Sequence, residues 1–447
     1  MPETKIVLIG AGSANFGVDT LAALFAQGDR LSGSTLVLVD VDEAALAVMT
    51  DLARRGNDQY GAGLRIESTV DRRAALVDAE FVVSSIEINR YPNWERDWTL
   101  LRRYDAPKGY CENGGPGGLS HGLRIIPVVV DICRDVARIA PGALVLNYTN
   151  PMTRVCLAAT RHTDARVVGL CHQIGNAYHE VGRVLGWIDA PEGSDAEKVE
   201  AAEVGRRLGL HACGLNHLTF ITDLWDRETG RDLYPLFRER LAEQPASFAP
   251  LARRLHDIFG LYPTGGDLHV SEYFGWASEL CEVEPTFRAW DVRSARRSEQ
   301  LAAALRGDLT LSELYARANE FDLDRAVAII VAILTGADEL ELAVNVVNDG
   351  AIPGLPPWAV VEVPAVVGAG GVRPLRMPRL PGGATALLHQ QITVQDRAVE
   401  AAVHGDRTAA LQALLLDPVS GARLRENEQL LDDLLVAHRP YLDRFAA

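Results

Sequence analysis

No stretch of this 447-residue chain approaches the roughly 18 uninterrupted apolar residues of a membrane-spanning helix, which excludes a helical membrane protein. Basic charge is also short. The 44 Lys and Arg residues against 60 Asp and Glu leave a formal net charge of −16, which argues against nucleic acid or an anionic membrane as partner, since both need a basic face. Basic residues can still cluster where an anionic sugar binds. Cysteine is sparse: six residues, at positions 111, 133, 156, 171, 213 and 281, form no CxxC pair and no dense framework. That excludes a disulfide scaffold and suits a reducing compartment. No basic, apolar leader precedes the first apolar run, so a cytoplasmic protein is expected. Internal repeats and low-complexity tracts are missing as well. The length exceeds what one core usually covers, so two domains, or one large α/β domain with an appended half, are expected.

What is present begins at once. Ile6-Val7-Leu8-Ile9 runs into Gly10-Ala11-Gly12-Ser13, an apolar strand followed by glycines that let the chain turn sharply and let backbone amides approach a pyrophosphate. Val18 to Gln27 has helical spacing, which points a positive dipole end and free amides at the same place. A second strand, Thr35 to Val39, ends at Asp40, placed to accept hydrogen bonds from an adenosine ribose and so to favour NAD over its 2'-phosphorylated relative. The motif departs from GxGxxG at its third glycine, because position 15 is Asn and the next glycine is Gly17.

Strand-like runs recur at Leu64 to Ser68, Phe81 to Ile86, Leu144 to Asn147 and Val167 to Leu170, with helical patterns between most of them. This alternation predicts a Rossmann-like, doubly wound parallel sheet whose functional residues gather at the strands' carboxyl ends. Those ends carry Gly10, Asp40, Ser84-Ser85, Asn147 to Asn150 and Cys171-His172, all opening onto one crevice. Gly10, Gly12, Ser13, Asn15, Phe16, Asp40, Ser84 and Asn147 are the expected NAD-binding residues. The boundary falls near residue 200: residues 1–200 form the NAD-binding half and residues 201–447 a C-terminal α+β half for catalysis and oligomerisation. Ala190 to Glu203 reads as a solvated loop or short surface helix. Gly214 to Trp225 reads as a strand, and Pro250 to Phe259 and Leu314 to Leu334 as helices. Asp349 to Gly383 reads as loops and short strands, and Ala384 to Arg444 as mostly helical with a break near Asp417-Pro418.

Four further segments carry chemistry. Glu112-Asn113-Gly114-Gly115-Pro116-Gly117-Gly118 cannot be a helix interior or a central strand; with a helix following, it reads as a shaped cradle for an anion or substrate, with a plain surface loop as the alternative. Asn147-Tyr148-Thr149-Asn150-Pro151-Met152 ends an apolar strand, and Asn150, held extended by the proline, presents an amide suited to sugar hydroxyls. Cys171-His172 ends the next strand, while His217 lies within Gly214 to Phe220. Adjacent residues in extended chain face opposite ways, so Cys171 is expected to pair with His217 around a metal and not with His172. Two protein ligands leave an open site, and their softness alone suggests zinc or iron. Lone cysteines and histidines are more often core residues, the reading given to Cys133 and Cys156. Finally, Asp267, His269, Glu272 and Tyr273 crowd together after Gly265-Gly266, as acids and bases do when buried together and as exposed loops also do.

These motifs, GAGS at Gly10, GGPGG at Gly114, NYTNPM at Asn147, GLCH at Gly169, GLNHLTF at Gly214 and NDG at Asn348, resemble in content and order those of the family 4 glycoside hydrolases over nearly the whole chain. The resemblance implies cleavage by an NAD-mediated route: oxidation of the sugar C3 hydroxyl, removal of the C2 proton by a base, elimination at C1, addition of water and re-reduction. It also implies a divalent metal, usually manganese, on Cys171 and His217. Asn150, His269 and Asn216 would contact the sugar, with His172 close to its hydroxyls. Glu112 would act as leaving-group acid. Members that cleave 6-phospho-glycosides often carry a tyrosine where this chain has Asp267 and His269, so Asp267 is the expected base and the substrate an unphosphorylated α-hexoside or α-hexuronide. Family members commonly form homodimers or homotetramers. The alternative on the same fold is an NAD-dependent sugar or hydroxy-acid dehydrogenase that releases NADH; an NAD-binding regulatory protein would need no metal pair.

Overall fold

The computed structural model describes all residues except 1, 15, 105–111, 192–193, 284–286, 319–324, 422 and 446–447. The apolar runs of the first half form strands β1 (Lys5–Ile9), β2 (Thr35–Val39), β3 (Arg65–Thr69), β4 (Phe81–Ser84), β5 (Leu144–Asn147) and β6 (Arg166–Gly169). Their neighbours pair in parallel in the order β3-β2-β1-β4-β5-β6, the doubly wound order of dinucleotide-binding folds. Alternate residues of one strand serve opposite layers. Ile6 and Leu8 pack with Leu21 and Leu24 of the helix Phe16–Ala26, while Val7 and Ile9 pack with Ile132 and Val136 of the helix Gly115–Ile139. All four strand residues are buried, and each contributes about 1.5–3 kcal/mol of burial energy, which fixes the register and therefore which residues reach the strand ends.

The sheet does not stop at β6. Strands β7 (Leu208–Leu215), β8 (Leu218–Asp226), β9 (Glu339–Val347), β10 (Val360–Gly368) and β11 (Gly371–Pro374) continue it in the order β6-β9-β10-β7-β8, with β11 on β10. All of these added pairings are antiparallel, so a parallel α/β core passes into an α+β half, the predicted class. Two of the joints are narrow: β6 meets β9 only at Gly169 and Asn345, and β10 meets β7 only at Glu362 and Gly214.

Three local expectations need correction. Gly214 to Trp225 is not one strand but the far end of a hairpin, with Leu215 paired to Leu218 and Asn216-His217 as its two-residue turn. Asp349 to Gly383 holds the nine-residue β10, whose Pro364 sits at a register shift between Val363 and Ala365, a place where a missing N–H is tolerated. In place of one helix from Leu314 to Leu334 there are helices at Leu311–Ala318 and Arg325–Thr335, and the residues between them lie outside those described. The charged segment after Ala190 is the helix Asp195–Arg207, capped by Ser194.

Candidate active site

The nucleotide turn is built from backbone. Gly10 has φ +89°, and a Cβ there would lie 2.0 Å from the Ser85 carbonyl oxygen, so only glycine fits. Gly12 N donates to Asp40 Oδ2 at 2.7 Å, which brings the carboxylate at the end of β2 over the turn. A Cβ on Gly17 would approach the Ala11 carbonyl oxygen to 2.5 Å. Gly17 thus permits the close helix–strand contact usually given by the motif's third glycine. Ser13 Oγ accepts from Phe16 N at 3.1 Å and caps the helix that starts there. Across the sheet's carboxyl edge, Ser84 Oγ and Asn147 Oδ1 are buried without a hydrogen-bond partner, atoms that a polar ligand would satisfy. Turn, acidic residue and orphaned atoms all fit a dinucleotide. Asn15 lies outside the described residues.

At the far end of the same edge, Cys171 follows β6 and His217 occupies the β7–β8 turn. His217 has φ +65°, a left-handed conformation that few residues other than glycine, Asn and Asp adopt readily; it throws the ring back towards β6. Cys171 Sγ and His217 Nε2 are 3.3 Å apart, close to the separation of two ligands on one ion with bonds of about 2.0–2.3 Å. Burial, and secondarily His269, holds the His217 ring well below its usual pKa, leaving it neutral as a ligand must be. Burial, with Glu362 adding to it, pushes the Cys171 thiol up to about 11; a bound cation would displace its proton. Asn113 faces His217 Nδ1 at 3.0 Å, and its Oδ1 is buried without a partner. Turning that amide gives Nδ1–H···Oδ1 and frees the Nε2 lone pair towards Cys171, the arrangement by which outer partners orient metal-binding imidazoles. The residues therefore fit an open divalent site.

The Gly-rich loop does cradle an anion, but an internal one. Glu272 Oε2 accepts from the backbone N–H groups of Glu112, Asn113 and Gly114 at 3.0, 2.5 and 2.8 Å, so the expectation of a substrate cradle there is replaced by a carboxylate that shapes the loop. Glu272 Oε1 holds His269 Nδ1 at 3.2 Å, and the His269 ring lies 4.0 Å from that of His217. Burial disfavours a charged His269, yet Glu272 outweighs it and raises the ring's pKa. His217, His269 and Glu272 each offer a ligand atom within 4.8 Å of the others. Glu112 is paired with Arg90 and accepts from Asn150 Nδ2 at 3.3 Å, and Asn150 Oδ1 is buried without a partner. Exposed His172 stacks on Tyr148 at 5.5 Å, and Tyr148 meets Phe16 at 5.0 Å. That aromatic row links the cysteine end of the crevice to the nucleotide turn.

Two expected residues are engaged elsewhere. Asp267 accepts backbone N–H groups of Leu251 and Ala252 at 3.1 and 2.9 Å, so both its oxygens cap the helix Pro250–Phe259. Asn216 is buried and donates to Glu362 Oε2 at 2.7 Å. Glu362 also accepts from Thr219 Oγ1 at 2.8 Å and Asn345 Nδ2 at 2.9 Å, tying the His217 turn to β9 and β10. Glu362, Asn113 and Tyr148 are not singled out by the sequence as site residues, and Glu272 only as one of the titratable group after Gly265-Gly266. The run of glycines signals an anion nest, but only the fold shows which carboxylate fills it.

Comparison with known proteins agrees along the chain. Residues 5–186 match the family 4 glycosyl hydrolases and residues 212–420 the C-terminal domain of that family. An α-glucosidase of Erwinia rhapontici is 32% identical, with 98% of this chain and 99% of the relative covered. An α-galactosidase of Bacillus subtilis is 29% identical, with 99% of each covered. The fold is similar to that of a 6-phospho-β-glucosidase from Thermotoga maritima solved with manganese, NAD+ and glucose 6-phosphate (TM-score 0.78, 21% identity, covering 98% of this chain and 99% of that one). Matched in both halves and over nearly the full length of its relatives, the chain belongs to the family 4 glycosyl hydrolases.

Proposed function

We propose that the protein is an NAD- and divalent-metal-dependent glycosidase acting on an unphosphorylated α-hexoside or α-hexuronide. The observation that carries this reading is the meeting of Cys171 and His217 at 3.3 Å, on the edge of the sheet that begins with the Gly10–Asp40 nucleotide turn. Bound NAD supplies a reversible hydride acceptor, and the cation, manganese by resemblance, supplies positive charge for the sugar oxygens. The chain's own residues do the rest. Asn150 and Glu112 are placed to hold the sugar ring and its leaving group, and His172 to contact hydroxyls from the open side. His269, oriented by Glu272, is positioned beside His217 to hold or pass a proton; it is a stronger candidate for the base than Asp267, whose oxygens are committed to capping. The α-glucosidase and α-galactosidase relatives support an α-glycoside.

The test is incubation of α-glucosides, α-galactosides and α-uronides with NAD, Mn²⁺ and thiol in heavy water. Cleavage with deuterium at C2 and no net NADH is expected. Stoichiometric NADH without cleavage would instead support a dehydrogenase. Cys171→Ser is expected to abolish metal-dependent cleavage while NAD affinity stays within about threefold, less than the ~1.4 kcal/mol of a tenfold change; undiminished activity would remove Cys171 from the site.

A further inference from the structure

Away from the crevice, the last turn of the helix Met152–His162 meets the last turn of the helix Gly382–His404. His162 Nε2 lies 3.3 Å from Glu400 Oε1, and His404 Nε2 lies 3.5 Å from Glu400 Oε2. The two imidazoles cross edge to face at 5.4 Å, and one ligand atom from each of the three residues falls within 4.8 Å of the others. We propose that His162, Glu400 and His404 form a second divalent transition-metal site, of zinc type, separate from the Cys171–His217 pair.

Several observations converge on this. Ligands bound at about 2.0–2.1 Å around a tetrahedral ion stand about 3.3 Å apart, close to the 3.3 and 3.5 Å that separate His162 Nε2 and His404 Nε2 from the two oxygens of Glu400. Glu400 and His404 are four residues apart on one helix and so share a face. His162 Nε2 is buried and faces the Glu400 carboxylate at 3.3 Å, so the inner ligand atom is already aimed at the place an ion would occupy. Arg161 Nη1 lies 3.1 Å from Glu400 Oε1 and is itself held by Asp396, an outer contact that orients the carboxylate while Asp396 offsets its charge. Two imidazoles and one carboxylate select zinc-like ions over magnesium or calcium and leave a fourth position for water. His404 is the outermost ligand, its side chain 57% exposed, so an ion can enter from solvent. The ion would pin the long C-terminal helix to the helix that follows Asn150-Pro151.

Equilibrium dialysis of the metal-stripped full-length chain against Zn²⁺ alone tests the proposal. Two ions per chain are expected for the wild type, one for His404→Ala and one for Cys171→Ser. Because His404 is largely exposed, its loss does not threaten the fold. Zinc affinity at this site should fall more than about tenfold, the least that even outer-contact losses cost at metal sites. With Co²⁺ as probe, the thiolate charge-transfer band should survive His404→Ala and vanish in Cys171→Ser. One ion in the wild type that survives Cys171→Ser and is lost in His404→Ala also supports the site, while removing the metal from the crevice. Unchanged zinc stoichiometry and affinity in both His404→Ala and His162→Ala would overturn it, as would a single ion lost only in Cys171→Ser.

Discussion

At the scale of single residues, carboxylates decide how the crevice is held. Glu272 serves two masters at once, three backbone amides through one oxygen and His269 through the other. Glu272→Ala would orphan three buried donors, each costing about 1–3 kcal/mol, so urea denaturation is expected to show a loss of roughly 3 kcal/mol or more. Glu272→Gln keeps an acceptor oxygen and should lose less, while NMR titration of His269 should show its pKa falling once the negative charge is gone. Equal stability losses for Ala and Gln would count against the nest. Glu180 behaves differently. Burial, reinforced by Asp267, raises its carboxyl to about 7 despite a hydrogen bond from Tyr262 Oη at 2.9 Å. A carboxyl whose folded pKa lies above its unfolded value binds more protons in the native state, so its contribution to stability is lost as pH rises from about 4.5 to 7. Glu180→Gln is therefore expected to gain up to about 3 kcal/mol on the wild type at pH 8 relative to pH 5, measured as the difference between their urea transitions. A difference that does not change with pH would sink this account.

At the scale of elements, the strands of the parallel half were legible because burial on two faces writes apolar runs into β1, β2, β4 and β5. Turns carried less information. His217 sits in an apolar run that reads as one strand, and nothing in its side chain marks the left-handed conformation that folds the run into a hairpin. Hidden for the opposite reason, β10 lies between Pro356-Pro357 and Gly370-Gly371 and is interrupted by Pro364, so a nine-residue buried strand reads as part of a run of loops and short strands. Cys171 and His217 could be paired from sequence, whereas Glu272 and Glu362 could not, since their partners are backbone amides and amides of distant side chains. The nucleotide turn was legible because its geometry demands residue types: at Gly10, φ +89° and a carbonyl oxygen 2.0 Å from any Cβ leave no alternative. Gly10→Ala is expected to cost about 3 kcal/mol or more in stability by forcing the turn away from Ser85 and to lower NAD affinity at least tenfold. Calorimetric NAD binding at wild-type strength in a folded variant would show that the turn is not the binding element.

At the scale of the whole molecule, one sheet, of eleven strands among the described residues, carries both halves, but it is thinnest where the chemistry is proposed to occur. The β6–β9 joint is the single pair Gly169–Asn345, two residues before Cys171, and the β10–β7 joint is the single pair Glu362–Gly214, three residues before His217. Few backbone hydrogen bonds hold these seams, so side chains must set the distance between thiol and imidazole. Glu362 is the residue common to them: it takes Asn216 and Thr219 from the hairpin and Asn345 from β9. Removing it with Glu362→Ala leaves Asn216 Nδ2 without its acceptor, takes one of two acceptors from Thr219 Oγ1 and Asn345 Nδ2, and releases the His217 turn from β9. Metal affinity should therefore fall by more than about tenfold, as loss of outer support does at other metal sites. NAD affinity should change little, because the Gly10–Asp40 turn lies across β4 and β5 from the seam and shares no hydrogen bond with Glu362. Parallel titrations of the folded variant with Mn²⁺ and with NAD separate the two effects. A Mn²⁺ affinity equal to the wild type, or an equal fall in both affinities, would show that the seam does not set the metal pair's geometry.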